Sequence, residues 1–175
     1  MRQIDGSQTA AESRVKCELA AEVVRSFGPV RFPAIGWSML PAVWPGDTFV
    51  VEPVGQEQVR IGDVVVVGRE GILCAHRVVG VGGDPENPRW ITQGDALPVP
   101  DSPVAGNELL GRVAYLIRAG KLIAVPTELS AIERLTAKIV RRSVPAARAL
   151  VYLHRRMVQA SERSSTEESG GACQV

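Results

Sequence analysis

Apolar positions along the chain change their spacing twice. Over residues 9 to 27 they recur at helical intervals, with Val15, Leu19 and Val23 four apart. A Thr9-x-x-Glu12 capping box precedes them and Gly28-Pro29 follows, which predicts one helix packed on the rest of the chain. Short apolar runs then fall near 30–35, 48–53, 63–68, 72–79, 89–92, 109–118 and 121–125, separated by Gly, Pro and Asp turns. Runs of that length with those separators predict strands. From Thr127 to about Gln159 the spacing is helical again. Leu129, Ile132, Leu135 and Ile139 fall on one side, with Arg134, Lys138, Arg141 and Arg142 beside them, and Pro145 is placed to kink or divide the helix.

This pattern predicts a mainly β fold, a coiled, half-open barrel with a Pro- and Gly-rich loop at 94–107. An N-terminal helical segment (1–28) precedes the β domain (29–126), and a basic amphipathic helical region (127–159) follows it. The last stretch, 160–175, is rich in Ser, Glu and Gly and reads as disordered.

Composition narrows the function. The 175 residues are 45% hydrophobic and 22% charged, enough apolar material for a real core, and the net charge of +1 argues against a general nucleic-acid binder. The charge is uneven, however. Seven Lys and Arg against two Glu lie between Glu128 and Gln159. Two readings of that region stand side by side: a helix lying on an anionic membrane surface, or a helix whose apolar stripe packs on the domain while its basic side chains stay wet. Cys17, Cys74 and Cys173 are widely spaced without C-x-x-C, so neither a disulfide framework nor a metal site is expected, and no cofactor. No apolar run is long enough to span a bilayer and the N-terminus lacks a signal-peptide pattern, so a cytoplasmic location is expected, with peripheral membrane contact through 128–159 left open.

The candidate chemistry centres on Ser38, in Gly36-Trp37-Ser38-Met39-Leu40-Pro41, and on His76, in Cys74-Ala75-His76-Arg77-Val78. A serine hydroxyl is a poor nucleophile until a neighbouring base removes its proton, and an imidazole does this at neutral pH. The competing reading of His76 is a strand histidine satisfied by a backbone carbonyl. Cys74, two residues from His76, admits a Cys–His reading, with a small apolar strand filler as its plainer one. His154 reads as part of a solvated helical face.

Together with Gly46-Asp47, the strand Gly62-Asp63-Val64-Val65-Val66, Thr92-Gln93-Gly94-Asp95 and Gly111-Arg112-Val113, these residues resemble the serine peptidases that include type I signal peptidases and repressor-type self-cleaving proteases. The resemblance spans roughly residues 30 to 118. Where bacterial signal peptidases carry lysine this chain has His76, which is similar to the Ser-His subgroup of archaea, the endoplasmic reticulum and some spore-forming bacteria. It implies a serine endopeptidase acting on a signal- or leader-like peptide held in extended form.

A carboxylate that holds the imidazole tautomer completes such a site. The resemblance points first to Asp95, with Asp101 matching a second acidic position of the histidine subgroup. The residues themselves leave the choice open, because Asp95, like Asp47 and Asp63, also reads as a turn aspartate bonding local backbone. The Ser38 amide is the natural oxyanion donor. Gly36 stands where some signal peptidases place a hydroxyl, and it also reads as a turn or close-approach glycine. Met39 and Leu40 are the candidates for lining a substrate groove, and Trp37, Leu40 and Trp44 form either an apolar rim or core. Two other functions compete: a catalytically silent peptide-binding module, and a self-cleaving regulator, which the single helix before Ser38 disfavours.

Overall fold

The structure is a computed structural model that describes residues 6–157 apart from 70, 144, 146 and 155, with side chains described from residue 15 on, residue 16 excepted. The expected disorder of 160–175 and the Cys173 thiol lie outside the described residues.

Seven strands form where seven apolar runs were read: β1 (Val30–Pro33), β2 (Thr48–Glu52), β3 (Val64–Arg69), β4 (Ile72–Asp84), β5 (Asn87–Gln93), β6 (Leu109–Arg118) and β7 (Lys121–Ala124). All pair antiparallel in one unclosed sheet of order β1-β2-β6-β3-β4-β5, with β7 on β6. Strand β4 runs five residues beyond its expected end at Val79. Gly80, Gly82 and Gly83 look like turn residues, yet they pair with Ile91, Arg89 and Pro88 across a long two-stranded ribbon. Register shifts at Val50/Val51, Val66/Val67 and Val78/Gly80 mark bulges, which coil the sheet.

The run Val64-Val65-Val66-Val67 shows how one strand serves two cores. All four residues are buried. Because alternate strand residues point to opposite faces, Val64 and Val66 join Val51, Phe49, Val113 and Leu116 on one side. Val65 and Val67 join Val78, Trp90, Val104 and Leu109 on the other. Removing a large aliphatic from either cluster costs about 2–5 kcal/mol.

The N-terminal helix, α1 (Gly6–Phe27), forms, but two details of its expectation are corrected. It begins by Gly6, so Thr9 lies inside it rather than at its cap. Its buried face is Cys17, Ala21 and Val24, whereas Val15 and Leu19 are 60% and 63% exposed. Small Cys17 and Ala21 let the helix approach the sheet closely, and a Cβ on Gly68 of β3 would lie 3.4 Å from Cys17 Cβ. Gly28, at φ 80°, ends the helix.

In the C-terminal region α2 (Ala131–Arg142) starts with a reciprocal cap, in which Ser130 Oγ accepts from Glu133 N–H and the Glu133 carboxylate accepts from Ser130 N–H at 2.8 Å. It breaks at Ser143, and helical backbone resumes at Pro145, which divides the region. A third cluster joins these helices to the segment after Ser38: Leu40, Ala96, Val140 and Ala147, with Trp44, Leu150 and Val151 against them. Among the described residues no helix is long and apolar enough to cross a membrane.

Candidate active site

Strand β4 presents His76 and Arg77 to opposite faces of the sheet, and each finds its own carboxylate. His76 Nε2 lies 3.1 Å from Ser38 Oγ, and His76 Nδ1 lies 2.6 Å from Asp101 Oδ2. The histidine is only 7% exposed, so these two contacts define its orientation. The three side chains form one line of hydrogen-bonding atoms from carboxylate through imidazole to hydroxyl. Nδ1–H donating to Asp101 leaves Nε2 unprotonated toward the serine.

Asp95 is not at the histidine, which corrects its placement ahead of Asp101. Its oxygens accept from Arg77 Nε at 2.9 Å and Nη2 at 2.8 Å in a buried bidentate pair. The physical reason is strand parity. Thr92 pairs with Val78 and shares the face of His76, whereas Gln93 pairs with Arg77, and Asp95, just past the strand end, meets that arginine. Arg77 also donates to the carbonyls of Gly62 and Pro126, and Arg141 of α2 donates to the Asp95 carbonyl. Asp95 therefore ties β4 to the C-terminal helix.

Sequence reasoning missed Thr92 as a site residue. It is 1% exposed, and its Oγ1 donates to Asp101 Oδ2 at 2.7 Å, the same oxygen that meets His76. Its carbonyl accepts from Asp101 N–H at 2.8 Å, so Thr92 holds both backbone and side chain of Asp101. The only sequence signal was its place beside Gly94-Asp95. The loop that carries Asp101 is pinned further along by paired backbone bonds between Trp90 and Val104, and by Arg69, which donates to the carbonyls of Ser102 and Pro103 and pairs with Glu108.

Ser38 lies on a turn held from two sides. Ala96 N–H donates to its carbonyl at 2.8 Å, and a Cβ at Gly94 would come within 2.7 Å of the same oxygen. Only glycine permits this approach without a shift. Gly36 differs from its expectation, since it has no positive φ and a Cβ there would meet nothing within 4 Å. Downstream, Asp47 accepts from Trp44 N–H and from Arg118 Nε and Nη2, and Asp63 accepts from Arg60 N–H, so both bond local backbone as expected.

A cleft of about 200 Å³ opens beside Ser38, lined by Ala34, Met39, Val43, Phe49 and Ala75 among others. Met39 lines this cleft while 4% exposed and part of the core around Val51 and Leu116. Leu40 does not: it is 0% exposed, in the cluster with Ala96 and with Val140 and Ala147 of the C-terminal helices. Trp37 is 43% exposed at the surface, while Trp44 is half-buried and stacks on His154, with ring centroids 3.9 Å apart. His154 is thus half-buried against Trp44 rather than part of a fully solvated face. Burial, then Arg118, lower its pKa from the ordinary 6.5. The Cys74 thiol lines the same cleft as Ser38; burial, then Asp101, push it up to about 11, which keeps it protonated near neutrality, and the hydroxyl that meets His76 Nε2 is that of Ser38.

Among the described residues no group of three or more His, Cys, Asp or Glu is arranged to hold a metal ion. Compared with known proteins, the sequence matches no family model and no curated protein.

Proposed function

We propose that this chain is a serine endopeptidase resembling the Ser-His type of signal peptidase, with Ser38 as nucleophile, His76 as general base and acid, and Asp101 as its orienting carboxylate. The observation that carries this reading is the continuous line Asp101–His76–Ser38, at 2.6 and 3.1 Å. The unclosed, bulged sheet is compatible with the half-open barrel of the signal peptidase and repressor-protease type.

In the first step Ser38 Oγ attacks the scissile carbonyl carbon as its proton passes to His76 Nε2. The negative charge on the carbonyl oxygen is met by the Ser38 amide, and the Asp101 carboxylate stabilises the imidazolium. His76 then gives the proton to the leaving amine, which departs as the acyl-enzyme forms. Water, deprotonated by the same nitrogen, hydrolyses the ester and restores Ser38. Thr92 acts through Asp101 and is a positioning residue. The apolar cleft beside Ser38 suits a small aliphatic side chain next to the cut, on a peptide bound in extended form.

The experiment is cleavage of a quenched Ala-x-Ala peptide by wild type, Ser38→Ala and His76→Ala, alongside labelling by a serine-directed fluorophosphonate. Labelling confined to Ser38, with turnover abolished in both variants, is expected. A folded wild-type protein that neither labels nor cleaves turns the reading to a silent peptide-binding module.

A further inference from the structure

The apolar stripe of α2 is turned outward. Ile132, Leu135 and Ile139 are 78%, 60% and 51% exposed, and the residues α2 buries are the smaller Ala137 and Val140. A helix that merely packs on its domain places its largest aliphatics inside. Here the helix is anchored by the opposite face, and by Arg141 donating to the Asp95 carbonyl, which leaves the aliphatic face without cover among the described residues.

We propose that this face binds an anionic lipid surface, with Ile132, Leu135 and Ile139 entering the boundary between headgroups and acyl chains and Lys138 and Arg142 meeting lipid phosphates. At 100° per residue Lys138 and Arg142 project next to Leu135, and both are exposed. The other charges of the helix are Arg134, which faces Glu128 at 3.7 Å, Glu133, which is held by the Ser130 cap, and Arg141, which is held on the Asp95 carbonyl. The face presented outward is therefore apolar and cationic. The same charges argue against a second copy as the occupant, because a two-fold contact through this face can offer Lys138 and Arg142 only the residues of an equally apolar and cationic face. The following helical stretch repeats the composition, with Tyr152, Leu153 and Met157 exposed beside Arg148 and Arg156. This inference does not depend on the catalytic reading, since its readout involves no peptide bond.

The test is co-sedimentation of the full chain with vesicles of phosphatidylcholine mixed with phosphatidylglycerol, and with phosphatidylcholine alone. Binding only to the anionic vesicles, weakening with salt, is expected. The triple variant Ile132→Ser, Leu135→Ser, Ile139→Ser and the double variant Lys138→Glu, Arg142→Glu each weaken it by about tenfold or more, with melting temperatures unchanged. Absence of binding, equal binding to both vesicles, or variants that bind like wild type overturns the proposal. So does a concentration-dependent dimer on size exclusion that the triple variant abolishes.

Discussion

Asp101 Oδ2 lies 2.6 Å from His76 Nδ1, while Asp95, the other acid of the same loop region, is spent on Arg77 on the opposite face of the sheet. The two carboxylates therefore predict opposite phenotypes. Asp101→Asn leaves the fold intact and lowers kcat by about 10³-fold or more, because the amide supports the wrong imidazole tautomer. Asp95→Ala strands a buried guanidinium and costs about 3–5 kcal/mol of stability. Urea titrations and kcat on both variants check this, and a reversed pattern would assign the triad to Asp95.

Thr92→Val keeps the shape of the side chain but deletes the hydroxyl that donates to Asp101. The expected loss is about tenfold in kcat, with KM little changed and activity restored in Thr92→Ser. Equal activity in Val and Ser variants would mean that the hydroxyl does not position Asp101.

Gly94→Ala places a methyl 2.7 Å from the Ser38 carbonyl oxygen. The Ser38 turn must shift, so a stability loss of about 1–3 kcal/mol is expected together with slower fluorophosphonate labelling. Wild-type melting and labelling rates together would show that the turn yields freely.

His154 stacks on Trp44 with its pKa lowered by burial and then by Arg118, Asp47 acting the other way. A histidine whose pKa is lowered by folding contributes its stability above the ordinary value of 6.5. That contribution falls as the unfolded state takes up protons below 6.5, down to the folded pKa. Melting temperature against pH should drop more steeply below 6.5 in wild type than in His154→Phe, which keeps the ring stack without the proton. Parallel curves would show that His154 does not carry the dependence.

How much of this was legible in the sequence differs by element. The seven strands were, because short β-rich runs between Gly, Pro and Asp turns are a local signal; the overrun of β4 was not, because Gly80, Gly82 and Gly83 imitate a turn until β5 pairs with them. Ser38 and His76 stood out as a candidate pair, yet their contact spans 38 residues and exists only once the turn after β1 folds against β4. Of the two aspartates the resemblance put Asp95 first, and only the fold sets Asp101 at His76.

What the sequence determined by itself was therefore the strand-rich middle, the helical ends and the supply of a serine, a histidine and two nearby acids, since each depends on spacing along the chain. Tertiary structure decided which acid meets the histidine, that Thr92 holds it, that Leu40 is core and Met39 lines the cleft, and that α2 turns its large aliphatics outward. These depend on which face of an element meets which neighbour. Strand parity separated His76 from Arg77, and with them Asp101 from Asp95. Val140, packing with Leu40 and Ala96, fixes the rotation of α2 that periodicity alone leaves undetermined, and Ala137 is buried on the same side.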